Sequence, residues 1–311
     1  MRRLAVAAAL AASSFLPSLA AAQIGSTSAV LLELPASTRA LSLGNTFVAA
    51  GTDEAAIFYN PAQLAVIPKL SAGLSVQQWF LSSTLAAAAA ATRVGRGTLA
   101  IGLQVLDYGS SERVLGDPNA GGGGGDPTGT TISAGDYVAS AAYALSLHGV
   151  RVGATAKYVN QRLVDESGGT GAVDVGAAFD VHGATIGASV QNIGGEISIA
   201  GESGPLPRMV HVGAAVPVRG VGPLDFLATA EVTHTRDEKT RGAGGVEVAY
   251  HATGGVTVLG RVGALARPTG AEISPLSFGG GLRARHLALD YAYESSDVFG
   301  AMHRVGVRWW R

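Results

Sequence analysis

From Leu70 to the C-terminus the chain keeps a period of two, and this limits its fold more than any other feature. Val150, Val152, Ala154, Ala156 and Tyr158 alternate with Arg151, Gly153, Thr155 and Lys157. Leu224, Phe226, Ala228, Ala230 and Val232 alternate with Asp225, Thr229, Glu231 and Thr233. Val246, Val248 and Tyr250 alternate with Glu247 and His251, and Leu287, Leu289, Tyr291 and Tyr293 with His286, Asp290 and Glu294. Each segment reads as a strand with one apolar and one polar face. About fourteen such segments follow one another: 70–79, 82–92, 97–107, 136–147, 150–161, 172–181, 184–193, 208–217, 223–234, 243–251, 255–265, 276–284, 286–294 and 301–311. Their lengths suit the ~9–11 residues with which a tilted strand crosses a bilayer, and an even number suits a single-chain bacterial barrel.

No helical alternative competes. The most apolar stretch of the strand region, Leu81 to Ala91, is too short for a membrane helix and is mostly alanine. In lipid only helices and closed barrels satisfy every backbone polar group. The expected fold is therefore all-β: a transmembrane antiparallel barrel of about fourteen strands. The connections agree. One set is tight and glycine-bearing, as at Leu147-His148-Gly149, Val181-His182-Gly183 and Val218 to Gly222. The alternate set is long, as at Tyr108 to Gly135, Arg162 to Gly171, Ile193 to Pro207, Thr235 to Gly242 and Arg267 to Pro275. Short periplasmic turns and long outer loops sort in this way.

Composition supports this and excludes other classes. Charged residues are 14% of the chain, against about 25% in ordinary soluble proteins. The 44 glycines are near twice the usual share, and the mean hydropathy is +0.29. The absence of cysteine removes disulfide scaffolds, thiolate metal sites and cysteine nucleophiles. With 22 basic and 23 acidic side chains there is no basic face for nucleic acid.

The chain opens with Arg2 and Arg3, an apolar run from Leu4 to Leu16, Pro17, and the small residues Ala20-Ala21-Ala22. This is the layout of a secretory signal peptide over 1–22, implying Sec-type export to the bacterial outer membrane. Segment 23–69 does not alternate. Leu34 to Ala50 and Asp53 to Leu64 read as short helical turns, with Thr52 or Asp53 as a cap. Preceding a barrel with a polar lumen, this segment is expected to fill that lumen as a plug, leaving 70–311 as the barrel.

The plug segment also carries a resemblance. Thr38-Arg39-Ala40-Leu41-Ser42-Leu43-Gly44, then Phe47-Val48-Ala49, Asp53-Glu54-Ala55-Ala56 and Tyr59-Asn60-Pro61-Ala62, resembles the start of the PorV/PorQ family of outer-membrane proteins. Similarity continues at Gly135-Asp136-Tyr137 through Lys157-Tyr158, at Leu206-Pro207 with Val210 to Gly213, and at Leu289 to Tyr293 with His303-Arg304. The resemblance implies a FadL-like fourteen-stranded barrel with a plug. It marks Arg39, Gly44, Asp53, Asn60, Pro61 and Ala62 as the family motif. It also implies a non-enzymatic role in protein secretion or surface attachment of type IX kind, with secretion components or exported proteins as partners. The alternative is FadL-like transport of hydrophobic small molecules. Members tend to end on an aromatic residue that marks the last strand for the barrel insertion machinery; here Trp309 and Trp310 are followed by Arg311.

Candidate chemistry is sparse. Gly121 to Asp126 fits one calcium-repeat unit, but such sites need stacked copies, so a linker is the better reading. The seven histidines are scattered, and no cofactor or metal is expected. His148 and His182 fall in turns, and His251 and His286 are expected in the lumen beside Glu247 and Asp290. No Ser–His pair suited to an outer-membrane lipase stands out. The inward charges Arg151, Lys157, Asp174, Asp180, Glu231, Glu247, Arg261, Arg283, Asp290, Glu294, Arg304 and Arg308 mix both signs. They are expected to grip the plug, meeting Arg39, Asp53 and Asn60. Trp309 and Trp310, with Trp79, Tyr291 and Tyr293, are expected in the aromatic girdle facing outer-membrane lipid.

Overall fold

The computed structural model describes residues 27–67, 69–78, 83–116, 125–236, 238, 240–266, 273–296 and 300–311. The signal segment 1–22, Trp79 and positions 121–124 of the glycine run lie outside the described residues.

The alternating segments form strands. The first seven are β1 (Leu70–Gln78), β2 (Thr84–Val94), β3 (Gly97–Gly116), β4 (Gly125–Leu147), β5 (Val150–Leu163), β6 (Glu166–Val181) and β7 (Ala184–Gly194). A small hairpin follows, β8 (Glu196–Ile199) and β9 (Glu202–Pro205). The rest are β10 (Met209–Val221), β11 (Leu224–Thr235), β12 (Arg241–His251), β13 (Val256–Leu265), β14 (Ile273–Ala284), β15 (Leu287–Ser296) and β16 (Gly300–Trp310). Fourteen of these close into one antiparallel barrel, with β8 and β9 forming a separate pair. Each barrel strand pairs with its sequence neighbours, except that β7 pairs with β10 and β1 closes on β16. Closure leaves no strand edge unpaired, as lipid requires.

Alternation decides which side chains face in. On β5, Arg151, Thr155 and Lys157 are buried, while Val150 and Tyr158 are exposed on the outer wall. Leu74, Ile101, Leu103, Val212, Val232 and Val305 are exposed in the same way, with Ile101 at 62%. An apolar surface that encircles the barrel is the face a bilayer covers.

One rim of the barrel holds tight turns. His148-Gly149 and His182-Gly183 each take two consecutive positive φ values, 49° and 85°, 49° and 86°. That conformation matches the twist of a two-residue hairpin. The other rim differs from the sequence expectation at two loops. Arg162 to Gly171 is not a long loop: β5 and β6 run to Leu163 and Glu166, and Val164 turns at φ 58°. Tyr108 to Gly135 is largely strand as well, because β3 and β4 pair as far as Gly116 and Gly125. Beyond the bilayer a hairpin needs no apolar face, so backbone pairing alone extends the ladder. Gly109 and Gly129, both at positive φ, lie in this extension, where the register shifts.

Residues 27–67 occupy the lumen. They form 3-10 turns at Val30–Glu33, Glu54–Phe58 and Pro61–Val66 and a short α-helix at Thr38–Ser42. Asp53 caps its turn by accepting from Ala55 N at 3.2 Å. Two apolar clusters anchor the segment. Toward the loop rim, Leu31 packs with Leu106, Val138, Val159, Ile197 and Leu206. Lower down, Phe47, Ile57, Phe58, Tyr59, Leu64 and Ile67 pack against Ala87, Ala89 and Ala91 of β2.

Candidate functional site

The candidate site is the contact between plug and lumen wall and the cavities it leaves. The Thr38–Ser42 helix starts at Ser37, whose side chain accepts from Ala40 N, and so points Arg39 at the wall. Arg39 forks onto Glu247 of β12, with Nε to Oε2 at 3.0 Å and Nη2 to Oε1 at 3.2 Å. Glu247 also accepts from Arg261 Nε at 2.5 Å, and Arg261 Nη1 donates to Asp290 at 2.7 Å. On the plug side Arg39 lies 3.7 Å from Asp53, which accepts from Arg308 Nη1 at 2.5 Å. The charges alternate in sign through Asp290, Arg261, Glu247, Arg39, Asp53 and Arg308. Two fully or nearly buried carboxylates each bridge two guanidiniums, which offsets the desolvation of the chain as a whole.

Hydrogen bonds to backbone hold the rest of the plug. Glu231 Oε2 accepts from Phe47 N at 2.8 Å and Val48 N at 3.0 Å. Asn60 caps its turn through Ala62 N at 3.1 Å and donates to Val48 O at 2.8 Å and Ala177 O at 3.1 Å. Arg304, fully buried, donates to Ser75 Oγ at 2.8 Å and to the Pro35 carbonyl. Pro61 and Ala62 press against β5, where a Cβ at Gly153 would fall 2.6 Å from Pro61 C. Gly44, at φ 68°, passes so close to β13 that a Cβ would meet Ala264 N at 2.8 Å.

The sequence-predicted charges thus divide. Arg39, Asp53, Glu231, Glu247, Arg261, Asp290, Arg304 and Arg308 belong to the plug network, directly or along the chain of ion pairs. Asn60 meets backbone carbonyls rather than charges. Lys157 pairs with Asp174 at 2.7 Å and Arg151 with Asp180 at 2.8 Å, wall to wall, without touching the plug. Arg283 lines both cavities at the turn rim. His251 lies not beside Glu247 but 3.0 Å from Asp225, because it sits at the end of β12, in the turn rim. His286 is exposed in the turn before β15 and gives its carbonyl to Trp310 N. Trp309 faces outward, but strand alternation turns Trp310 inward, where the Arg308 guanidinium lies 5.4 Å over its ring. Tyr291 and Tyr293 flank His303 on the outer wall, and Tyr291 Oη is 2.7 Å from His303 Nδ1.

Several contributors escaped the sequence reading. Ser75, Thr229 and Ser277 face inward and bond Thr38, Thr46 and Gly44 N. Ser189 Oγ donates to Tyr59 O at 2.8 Å, and Gln191 Nε2 donates to the same carbonyl. Glu54 bonds Ser71. Inward parity marks all the wall residues among these, but uncharged side chains gave no reason to single them out.

The plug divides the lumen. Toward the loop rim lies a cavity of about 180 Å³, lined by Val30, Leu34, Pro35, Leu85, Leu265 and Ile273 and by the polar Glu33, Asn45, Gln77, Arg241 and Glu294. Toward the turn rim lie cavities of about 310 Å³ and 280 Å³, where Arg283, Arg308 and Trp310 are exposed to the opening. Between them, around Arg39, Glu54 and Phe58, the free volume falls to about 40 Å³. Glu33, in the upper cavity wall, has its pKa pushed up to about 7 by burial and by Glu238. No group of metal-ligating side chains occurs among the described residues.

No family model and no curated protein matches the chain. Solved structures do. The Ralstonia pickettii toluene transporter TbuX is 13% identical with a TM-score of 0.56, over 86% of this chain and 95% of that one. The Pseudomonas putida toluene transporter TodX is 12% identical with a TM-score of 0.57, over 88% and 96%. A Pseudomonas aeruginosa FadL homologue is 12% identical with a TM-score of 0.54, over 89% and 98%. The chain therefore shares its barrel fold with these proteins.

Proposed function

We propose that this protein, exported by its leader to the bacterial outer membrane, carries hydrophobic small molecules across it past the plug, without catalysis. The observation that carries the reading is the upper cavity. At about 180 Å³, its wall divided between apolar residues (Val30, Leu34, Pro35, Leu85, Leu265, Ile273) and polar ones, it faces the loop rim and ends on the plug. An apolar cavity of about 150 Å³ is enough to hold benzene. The waist below is too narrow for such a molecule, so passage requires the plug to shift. The shared fold with toluene transporters supports this reading. The expectation of a part in protein secretion rests on the sequence resemblance alone, and none of these similar structures is a secretion component.

The test is uptake of labelled toluene, at limiting external concentration, by cells whose own hydrophobic channels are deleted. Cells making this protein are expected to take it up several-fold faster than cells with an empty vector. Equal rates contradict the proposal.

A further inference from the structure

Below the upper cavity is a second, smaller one. Its volume is about 30 Å³, against the ~10–15 Å³ that one water needs, so it has room for a small polar group. Leu34, Glu33 and Asn45 line both cavities, so the small one, with His211, Lys157, Gln104 and Gln191 in its wall, adjoins the chamber above, whose apolar side is formed by Val30, Leu34, Leu85, Leu265 and Ile273. His211 of β10 forms part of its wall and is only 7% exposed.

The tautomer of His211 follows from its partners. Nδ1 lies 2.8 Å from Glu231 Oε1, and Glu231 already accepts from two backbone amides through its other oxygen. A carboxylate only accepts, so Nδ1 carries the hydrogen. In the neutral ring Nε2 is then a bare acceptor. Nε2 is buried and has no hydrogen-bond partner among the described residues. Asn45 Oδ1 is a second buried acceptor without one. A buried acceptor left unmatched is destabilising, so two of them on one small cavity favour a ligand group that donates.

We infer that the chamber selects hydrophobic molecules bearing one hydroxyl, with the apolar body in the upper cavity and the hydroxyl donating to His211 Nε2 or Asn45 Oδ1. This rests on the proposed passage of small molecules and narrows it to a class, alkylphenols and short alcohols over plain hydrocarbons. A wall built to pair with a hydroxyl discriminates strongly against an analogue lacking one.

Calorimetry on the purified, detergent-solubilised barrel tests this with three probes: 4-methylphenol, its methyl ether 4-methylanisole, and toluene. 4-Methylphenol is expected to bind about tenfold more tightly than the other two, the worth of one well-made hydrogen bond. His211→Phe is expected to erase that preference, with the folding of the variant checked by its heat-modifiable migration on gels. Asn45→Gly, which suits the left-handed backbone there (φ 62°), is expected to reduce it. Equal affinity for all three probes, or a preference that survives in both variants, overturns the hydroxyl inference and leaves the passage reading intact. Binding of none of them overturns both.

Discussion

Glu54 shows how a single side chain ties the plug to pH. Docking buries its carboxyl against β1, where it bonds Ser71. Burial, with the charge of Asp53 beside it, pushes its pKa up from 4.5 to about 7. The docked state therefore prefers the protonated acid. Its support for docking is complete below about 4.5 and is lost as pH rises through about 7. Amide exchange over residues 53–60, corrected for its intrinsic pH dependence, is expected to be slower at pH 5 than at pH 8. Glu54→Gln is expected to flatten that difference; an unchanged difference in the variant assigns the effect elsewhere. At this scale the sequence was informative about direction and silent about pairing. Alternation sent Glu247, Asp290 and Arg308 inward, and the motif residues Arg39 and Asp53 proved to be the plug's links to them. That Lys157 pairs with Asp174 and not with the plug depends on which strands neighbour which and on where the plug lies, and neither is written in local pattern.

At the scale of elements, small residues make the plug possible. β2 presents Ala87, Ala89 and Ala91 inward, and these leave the depth that Phe58 and Ile67 fill. Gly153 and Gly176 on neighbouring strands open a recess for Pro61 and Asn60. Bulk added there meets backbone on one side and the Asn60 amide on the other. Gly153→Val is expected to displace the Pro61–Val66 turn, and Asn60→Ala to remove its cap, one bond within the plug and one wall contact at a cost of about 1–3 kcal/mol. Both are expected to raise single-channel conductance in planar bilayers; wild-type conductance in both shows that this turn does not seal the lumen. The glycine excess was visible from composition, yet its division between tight turns and plug contacts was not. The turn glycines follow from hairpin geometry, whereas Gly153 and Gly176 are explained only by what packs against them. The overlong β3 and β4 were also hidden, since their outer halves lack the apolar face that betrays a strand in lipid.

For the whole molecule, a lipid-facing wall, a charged lumen and a plug that parts two sets of cavities form one arrangement. The fold was legible because a bilayer permits so few solutions to a period of two repeated about fourteen times. The functional direction was less so: the motif resemblance favoured protein secretion, while the cavities and the shared fold favour small molecules. On the proposed reading, such molecules pass when the plug shifts. Because the chain has no cysteine, one engineered pair can pin the plug to the wall. Thr38 of the plug and Ser75 of β1 place their hydroxyl oxygens 2.8 Å apart, close enough for Thr38→Cys and Ser75→Cys to join. Toluene uptake by cells carrying this double variant is expected to fall to the empty-vector rate once the disulfide is verified, and to recover on reduction. Uptake that proceeds equally fast with the plug locked and unlocked contradicts the account.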